Sequence, residues 1–589
     1  MALFERNREA LARTFPKLAE RIDRAPDKSG SIDVFPSRRG PMTCKALGSD
    51  GRWLTLHSTV DPDREAVLTL NRVKDLDRGI VVVLGMGLGY PLLALARRLG
   101  KGRKVVFVVE RDPLLFRLSM QLFDWTGLLA RRDLHLLIGD EVDEILGTVT
   151  RVRMRSGFQD LVVIPHRPSI RRDPGFYGPL LDQLRLIEAS PLRSRLDYRH
   201  LRRDQLTVLV LDSHYFLVRE CIKALRKLGH RVLRVPLSET GLVGSILGRV
   251  VRERPDFLLS VNHLGFDEDG KLTDLLGALR LPYAVWYVDS PTFIIKDFRR
   301  NISSYCALFV WDRSYLERMR QFGFDHACYL PLATDPSVFR PIVPSAVPAR
   351  FRGAVSFVGN SMKEAVDEWS RRFPHSERTE AVSRLAVAFQ ISHPHVSMET
   401  ILETVGREQG LRVEFEDPVH YLNFQASLVW RATLEFRKRL VESLETLGIR
   451  IFGDRGWRQI LDGKVKISPP VSYYRDLPLV FNGTEVNINA TSFQMNSAVN
   501  QRVFDAASCG AFLVTDYRPD MDILFDRKRE AVCYGDPAEA RDQVAYYLKH
   551  EGERMKIAER ARQRILEEHT YCHRIRELID VMREKFGSF

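Results

Sequence analysis

The cysteines are few and far apart. Cys44, Cys221, Cys306, Cys328, Cys509, Cys533 and Cys572 form no Cys-x-x-Cys pair. That argues against a disulfide framework and a zinc ribbon and for reduced, cytosolic thiols. Low-complexity tracts and short-period repeats are absent. With 44% hydrophobic and 28% charged residues, long disorder is not expected. The first residues, MALFERNREALARTF, lack the apolar core that a signal peptide needs. Long hydrophobic runs are scarce. Gly79 to Ala96 runs 18 residues without a charge, long enough to consider as a span, but Gly85, Gly87, Gly89 and Pro91 interrupt it. It reads as a buried strand, a glycine turn and a helix start, so no transmembrane segment is expected. Aromatics are nearly missing from the basic runs Arg97–Lys104 and Arg193–Arg203. Tyr198 alone is too little for a nucleic-acid stacking platform.

What is present is length and positive charge. A chain of 589 residues suggests about three or four domains. The 89 Lys and Arg against 76 Asp and Glu leave +13, which favours an acidic partner: a nucleotide phosphate, a nucleic acid or, peripherally, an anionic membrane surface. Three blocks follow one another. In residues 1–200, apolar runs (Ile80–Leu84, Val105–Val109, Leu134–Ile138, Leu161–Ile164) alternate with helical segments, which implies a parallel sheet with crossover helices. Residues 205–340 repeat the alternation, with strands at Thr207–Leu211, Arg231–Val235, Phe257–Val261, Tyr283–Tyr287 and Leu308–Trp311. Three prolines in Pro341–Pro348 read as a stiff linker. Residues 350–550 open with the strand Val355–Val358, carry a helical insertion at 363–447, and resume with Arg450–Phe452, Val486–Ile488 and Ala511–Thr515. Helices fill 551–589. The expected fold is α/β, three Rossmann-like units in tandem.

Two stretches carry candidate chemistry. GMGLGY (85–90) follows a strand and opens a helix, and Glu110 ends the next strand. Glycines permit a tight turn and close ligand approach, the helix N-terminus attracts anions, and an acid at that strand end commonly holds a ribose. Gly85, Gly87, Gly89 and Glu110 are therefore a candidate ligand turn, with Gly-x-Gly-x-Gly spacing more typical of S-adenosylmethionine folds. The equally weighted alternative is a structural glycine turn. The second stretch is Asn487–Asp516, with a helix from Asn500 to Ser508 and a strand at Ala511–Thr515. Arg502 and Asp505 share a helical face. A carboxylate able to accept ribose hydroxyls beside a cation able to meet a diphosphate is the minimum equipment for a nucleotide sugar. The alternative is a surface ion pair.

This second stretch resembles the nucleotide-sugar helix of GT-B glycosyltransferases, in particular the CgeB-like group of the glycosyl transferases group 1 superfamily. Their R-x-F-E-A-x-A-x-G pattern is met by Arg502, Phe504, Asp505, Ala506, Ser508 and Gly510, with aspartate in place of glutamate. The first glutamate of the family's E-x7-E pattern falls on Ser497. Pro331–Asp335 with Phe339 and Pro341 resembles the connector between the two Rossmann domains. Val355–Asn360 resembles the donor domain's first strand and turn, Ile451–Asp454 with Trp457 its IYG-x-x-W element, and Trp286–Pro291 the acceptor half's W-x-x-D-x-P loop. In residues 1–200, LHSTVDPDREA (56–66) and VVERDP (108–113) resemble the Rossmann module of motility-associated-factor proteins, which are implicated in flagellin glycosylation.

The resemblance implies a cytoplasmic, metal-independent and retaining glycosyltransferase needing no cofactor. Its donor would be a UDP-, dTDP-, GDP- or CMP-linked sugar, and its acceptor a protein such as flagellin or a surface glycan. Donor contacts are expected from Gly359, Asn360, Ser361, Gly453, Asp454, Trp457, Asn500, Arg502 and Asp505, with Asp505 on the ribose. Arg502 and the amides of 359–361 would stabilise the leaving phosphate. Asp289, His263 and His214, at carboxyl strand ends of the acceptor half, are the catalytic candidates. His393 and His395 lack an acidic partner, so no metal site is expected. Two alternatives stay open for residues 1–200: a methyltransferase site with Glu110 on S-adenosylmethionine, or a non-catalytic acceptor-binding domain.

Overall fold

The computed structural model describes residues 2–25, 30–73, 76, 79–99, 104–156, 159–188, 198–214, 216–238, 242–291 and 299–587. Parts of both basic runs, 100–103 and 191–197, lie outside them. The chain divides into two compact units, Met1–Tyr198 and Arg199–Phe589.

The first unit carries two sheets. One is a small antiparallel sheet of β1 (Ile32–Pro36), β2 (Met42–Leu47) and β3 (Trp53–Thr55), which was not expected from the sequence. Its strands are short, and Asp33, Thr43 and Lys45 break the apolar pattern. The other is parallel, made of β4 (Ile80–Leu84), β5 (Val106–Glu110), β6 (Leu134–Ile138) and β7 (Leu161–Pro165), in the order β6-β5-β4-β7. Every residue of β4 and β5 is buried, because helices cover both faces of a parallel sheet. The uncharged stretch from Gly79 is accordingly β4, a glycine turn and the helix Tyr90–Leu99. No helix among the described residues is long and apolar enough to cross a membrane.

The second unit holds two six-stranded parallel sheets. The first comprises β8 (Thr207–Asp212), β9 (Arg231–Pro236), β10 (Phe257–Val261), β11 (Tyr283–Tyr287), β12 (Cys306–Val310) and β13 (His326–Tyr329), in the order β9-β8-β10-β11-β12-β13. The second comprises β14 (Gly353–Val358), β15 (Ile449–Phe452), β16 (Lys466–Ser468), β17 (Thr484–Asn489), β18 (Leu513–Asp516) and β19 (Val532–Tyr534), in the order β16-β15-β14-β17-β18-β19. The strand order therefore reverses between β8 and β10 in the first sheet and between β14 and β17 in the second. Ligands of open α/β sheets bind at such reversals, outside the carboxyl strand ends.

The crossover from β14 to β15 is the helical insertion. Ser376, Ser397 and Asp417 cap its helices Glu377–Ser392, Met398–Gln409 and Pro418–Ser443, and Gly410 at φ +67° ends the middle one. In the long helix Pro418–Ser443, Phe424, Leu428, Ala432, Phe436 and Leu440 recur every four residues and are buried in the core of the second half. The proline segment is not a free tether. Val347 and Phe351 pack with Phe452 and Val480, and the Ile342 amide donates to Asn482 Oδ1 at 2.8 Å. The last helix, Tyr571–Phe586, returns to the first half and packs on the helix Phe216–Lys227 and on β12.

Candidate active site

In the first half, the carboxyl ends of β8, β10 and β11 converge at the strand-order reversal. Asp212 closes β8, accepting from Arg234 and from the His214 amide. His214 is exposed, at φ +58°. Asn262 and His263 follow β10 at φ +52° and +56°. Two consecutive non-glycine residues in the left-handed region cost about 1–2 kcal/mol each. Hydrogen bonds hold them there. Asn262 Oδ1 accepts from the Val288 amide at 2.9 Å, and its Nδ2 donates to Asp289 Oδ2 at 2.8 Å. Asp289 is thereby oriented and remains half-buried. His263 does not face the crevice as expected. Only 1% exposed, it has Nδ1 2.6 Å from the Tyr287 hydroxyl, and burial pushes its pKa down to about 3. A ring so hard to protonate is a poor general base near neutral pH.

In the second half, the family-like turn after β14 proves to be a lock. Trp457 Nε1 donates to Gly359 O at 2.8 Å and the ring is fully buried. A side chain at Gly453 would fall on Gly359 O and on Trp457. The Gly359 amide is committed to Phe452 O, and the Ser361 amide to Asp454 Oδ1 at 3.0 Å. Of the three amides expected to face a phosphate, only that of Asn360, an exposed residue, is without a hydrogen bond among the described residues. Gly453, Asp454 and Trp457 thus shape the turn and are taken up by it.

The cations are different. Asn500 caps the helix Gln501–Ser508 by accepting from the Arg502 amide at 3.0 Å. The Arg502 guanidinium makes no hydrogen bond or ion pair among the described residues, and its Nε is sealed from solvent. Arg437, on the insertion helix, is the residue that the sequence reading missed. It donates Nη1 to Asn360 O at 2.8 Å and Nη2 to Ala490 O at 3.1 Å, and its buried Nε lacks an acceptor. Burial, and then the charge of Arg502, lower its pKa to about 10. Its signal in the sequence was an arginine at the edge of an otherwise apolar helix stripe.

Asp505 stands away from the place expected of it. It is fully buried, and its oxygens accept from Thr334 Oγ1 (2.7 Å), Tyr473 OH (2.7 Å) and Gln501 Nε2 (3.1 Å). A ribose could reach it only by displacing these donors. Burial raises its pKa to about 7 against their pull. Ser497, at the position of the family's first glutamate, donates Oγ to Asp312 Oδ1 at 2.6 Å, joining the strand ends of the two halves.

The glycine turn of the first unit is filled from within. Glu110 is 1% exposed. Its Oε2 accepts from the amides of Met86 (2.9 Å) and Gly87 (3.3 Å), and its Oε1 from Tyr177 OH (2.8 Å) and the Asp112 amide (3.2 Å). His57 Nε2 accepts from the Leu88 amide at 2.8 Å. A side chain on Gly85 would strike Ser169, on Gly87 His57, and on Gly89 Trp125. The glycines admit the protein's own side chains where a ligand was expected. Among the described residues, no three His, Cys, Asp or Glu side chains gather as a metal-ligand group.

Two Rossmann-like sheets whose strand ends meet, joined by a connector and by a last helix that returns to the first, define a GT-B pair; the first unit adds a third Rossmann-like sheet. Residues 433–580 match the family described as glycosyl transferase-like, and residues 56–160 match the glycosyltransferase Maf N-terminal domain. Each matched segment is thus similar to a glycosyltransferase family. No curated protein matches in sequence. Among solved structures, sucrose-phosphate synthase from Thermosynechococcus elongatus is 9% identical, covering 65% of this chain and 100% of its own at a TM-score of 0.43. HepE from Anabaena, in complex with UDP and glucose, is 9% identical, covering 64% and 100% at 0.40. T4 phage β-glucosyltransferase is 10% identical, covering 65% and 99% at 0.33.

Proposed function

We propose that the second unit transfers a sugar from a nucleotide-activated donor, held between β14 and β17 in the half spanning 350–550, to an acceptor hydroxyl presented by the half spanning 205–340. The observation that carries this reading is Arg502, a cation at the strand-order reversal that makes no ion pair or hydrogen bond through its guanidinium among the described residues. An unpaired charge withdrawn from water costs several kcal/mol, so such a site favours an anionic ligand. In transfer, the bond from the anomeric carbon to the phosphate oxygen breaks and its electron pair stays on the phosphate, where Arg502 and the Asn360 amide stabilise it. The acceptor oxygen bonds the anomeric carbon, and its proton passes to the departing phosphate oxygen. Asp289, fixed by Asn262, orients that hydroxyl. Retention and independence from metal follow from the family resemblance, as do a cytoplasmic setting and a flagellin-like or glycan acceptor.

A thermal-shift series with UDP, GDP, dTDP and CMP tests the donor site, because a ligand of the folded state raises the melting temperature. One of them should do so in the wild type and not in Arg502→Ala. No shift with any nucleotide would remove this reading.

For the first unit we propose acceptor recognition without catalysis. The filled glycine turn supports it over the methyltransferase alternative. Calorimetry with S-adenosylmethionine should give no heat of binding. Binding heat that disappears in Glu110→Gln would restore the methyltransferase.

A further inference from the structure

A helical insertion between β14 and β15 could be a mere elaboration of the fold. One side chain says otherwise. Arg437 leaves the long helix Pro418–Ser443 and ends between the two loops that bound the crevice. Nη1 holds Asn360 O, after β14, and Nη2 holds Ala490 O, after β17. Those are the strands between which the order reverses. One planar guanidinium therefore straps both lips of the opening, which a point charge such as lysine cannot do. The residue is 5% exposed, and among the described residues no carboxylate forms an ion pair with it and its Nε has no acceptor. The nearby carboxylates are committed elsewhere. Asp516 is paired with Arg518 at 2.9 Å, and Asp454 holds the Ser361 amide. Arg502, the other cation at this place, likewise makes no ion pair among the described residues and lowers the pKa of Arg437 through its charge; the carboxylate acting on it, Asp505, is taken up by Thr334, Tyr473 and Gln501. Two buried or half-buried cations that repel each other, neither in an ion pair among the described residues, are arranged for an anion carrying more than one charge.

We propose that Arg437 is the second cation of the donor's diphosphate site and the strap that sets the width of the crevice, so that the helical insertion completes donor binding. This rests on the reading of the crevice as the nucleotide-sugar site. Arg437 would offer Nε to a phosphate oxygen, while its two strap bonds hold the Asn360 and Ala490 loops at the spacing the diphosphate needs. Arg502 would meet the same group from the other helix.

The experiment uses the full-length chain. Calorimetry or ligand-observed NMR measures affinity for three probes: the nucleoside diphosphate that gives the largest thermal shift, its nucleoside, and inorganic pyrophosphate. Arg437→Gln should weaken nucleoside diphosphate and pyrophosphate by about ten- to a hundredfold and leave the nucleoside unchanged. Arg437→Lys keeps the charge and loses the strap, so its selective loss should be smaller than that of Arg437→Gln. Equal loss of nucleoside and diphosphate in Arg437→Gln would make the residue a strap only, and wild-type pyrophosphate affinity would remove it from the site; both overturn the proposal. If Arg437→Gln does not fold, Arg437→Lys decides: a selective loss of diphosphate supports the proposal, and no loss or an equal loss refutes it. Pyrophosphate binding that depends on Arg437, with no nucleotide bound by the wild type, would sink the nucleotide-sugar reading and leave the anion site standing.

Discussion

The chain contains two crevices of the same make. In the first unit, the strand order reverses between the paired strands β4 and β7 in a sheet ordered β6-β5-β4-β7. In the second, it reverses between the paired strands β14 and β17 in a sheet whose first four strands run β16-β15-β14-β17. Each has a glycine-bearing turn after its first strand. They end differently. At the first, Glu110 takes four donors, and His57, Ser169 and Trp125 occupy the space that the glycines leave. At the second, the glycine turn is also locked, but Arg437 and Arg502 stand there without an ion pair among the described residues. A glycine turn with an acid on the next strand therefore says that the backbone turns tightly. Whether a ligand belongs there is decided by which polar groups the protein leaves unsatisfied.

This contrast can be broken by four measurements, taken in order of their expected effect on stability. Glu110→Ala strips the acceptor from four donors in a buried site, and should cost about 3–5 kcal/mol in urea unfolding of the full chain. A loss below about 1 kcal/mol would mean that the turn is looser than its hydrogen bonds imply.

The second measurement uses pH. The folded-state pKa of Asp505 is raised from 3.8 to about 7, chiefly by burial. The folded protein thus holds a proton that the unfolded chain releases. The stabilisation is complete below the unfolded value and is lost as pH rises through about 7. Glu220, also raised to about 7 by burial, acts in the same direction. The buried His263 lies at about 3 when folded, so its own effect is confined to pH below its ordinary value. Between about pH 6.5 and 8 the melting temperature should therefore fall, and fall less steeply in Asp505→Asn. An unchanged slope would show that Asp505 is ionised throughout.

Asp289→Asn keeps the shape of its side chain and should shift stability by no more than about 0.5 kcal/mol. Sugar transfer should drop at least tenfold with nucleotide affinity intact. Transfer at the wild-type rate would move the acceptor site towards His214. Last, Arg502→Ala removes an unpaired cation, so its melting temperature should stay level or rise while nucleoside diphosphate affinity falls about ten- to a hundredfold. A lower melting temperature would mean that the cation is already paired, and the two crevices would no longer differ in kind.

Much of the fold was legible in the order of residues. IVVVL and YAVWY are continuous runs of aliphatic and aromatic residues, as strands covered on both faces must be, and β4 and β11 fall on them. The helix expected from Asn500 to Ser508 runs Gln501–Ser508, with Asn500 as its cap, because helix ends are set largely by local effects. Strands β13, β16 and β19, of three or four residues, escaped notice. Sequences so short acquire strand character from a neighbour in the sheet and carry little of their own.

By itself the sequence determined the alternation of strands and helices, the length of the insertion, the places where glycine must turn the chain, and which residue types stood near the strand ends. Tertiary structure alone decided which of those residues were spent on the protein and which were left for a ligand. Asp505 and Arg502, three residues apart on one helix, show why. Thr334 and Tyr473 arrive from distant parts of the chain and take up the carboxylate, while no described residue forms an ion pair or hydrogen bond with the guanidinium. Arg437 comes to that guanidinium from an insertion 65 positions earlier. Hydrogen bonding and charge pairing depend on distance in space, and over such separations the sequence carries no record of it.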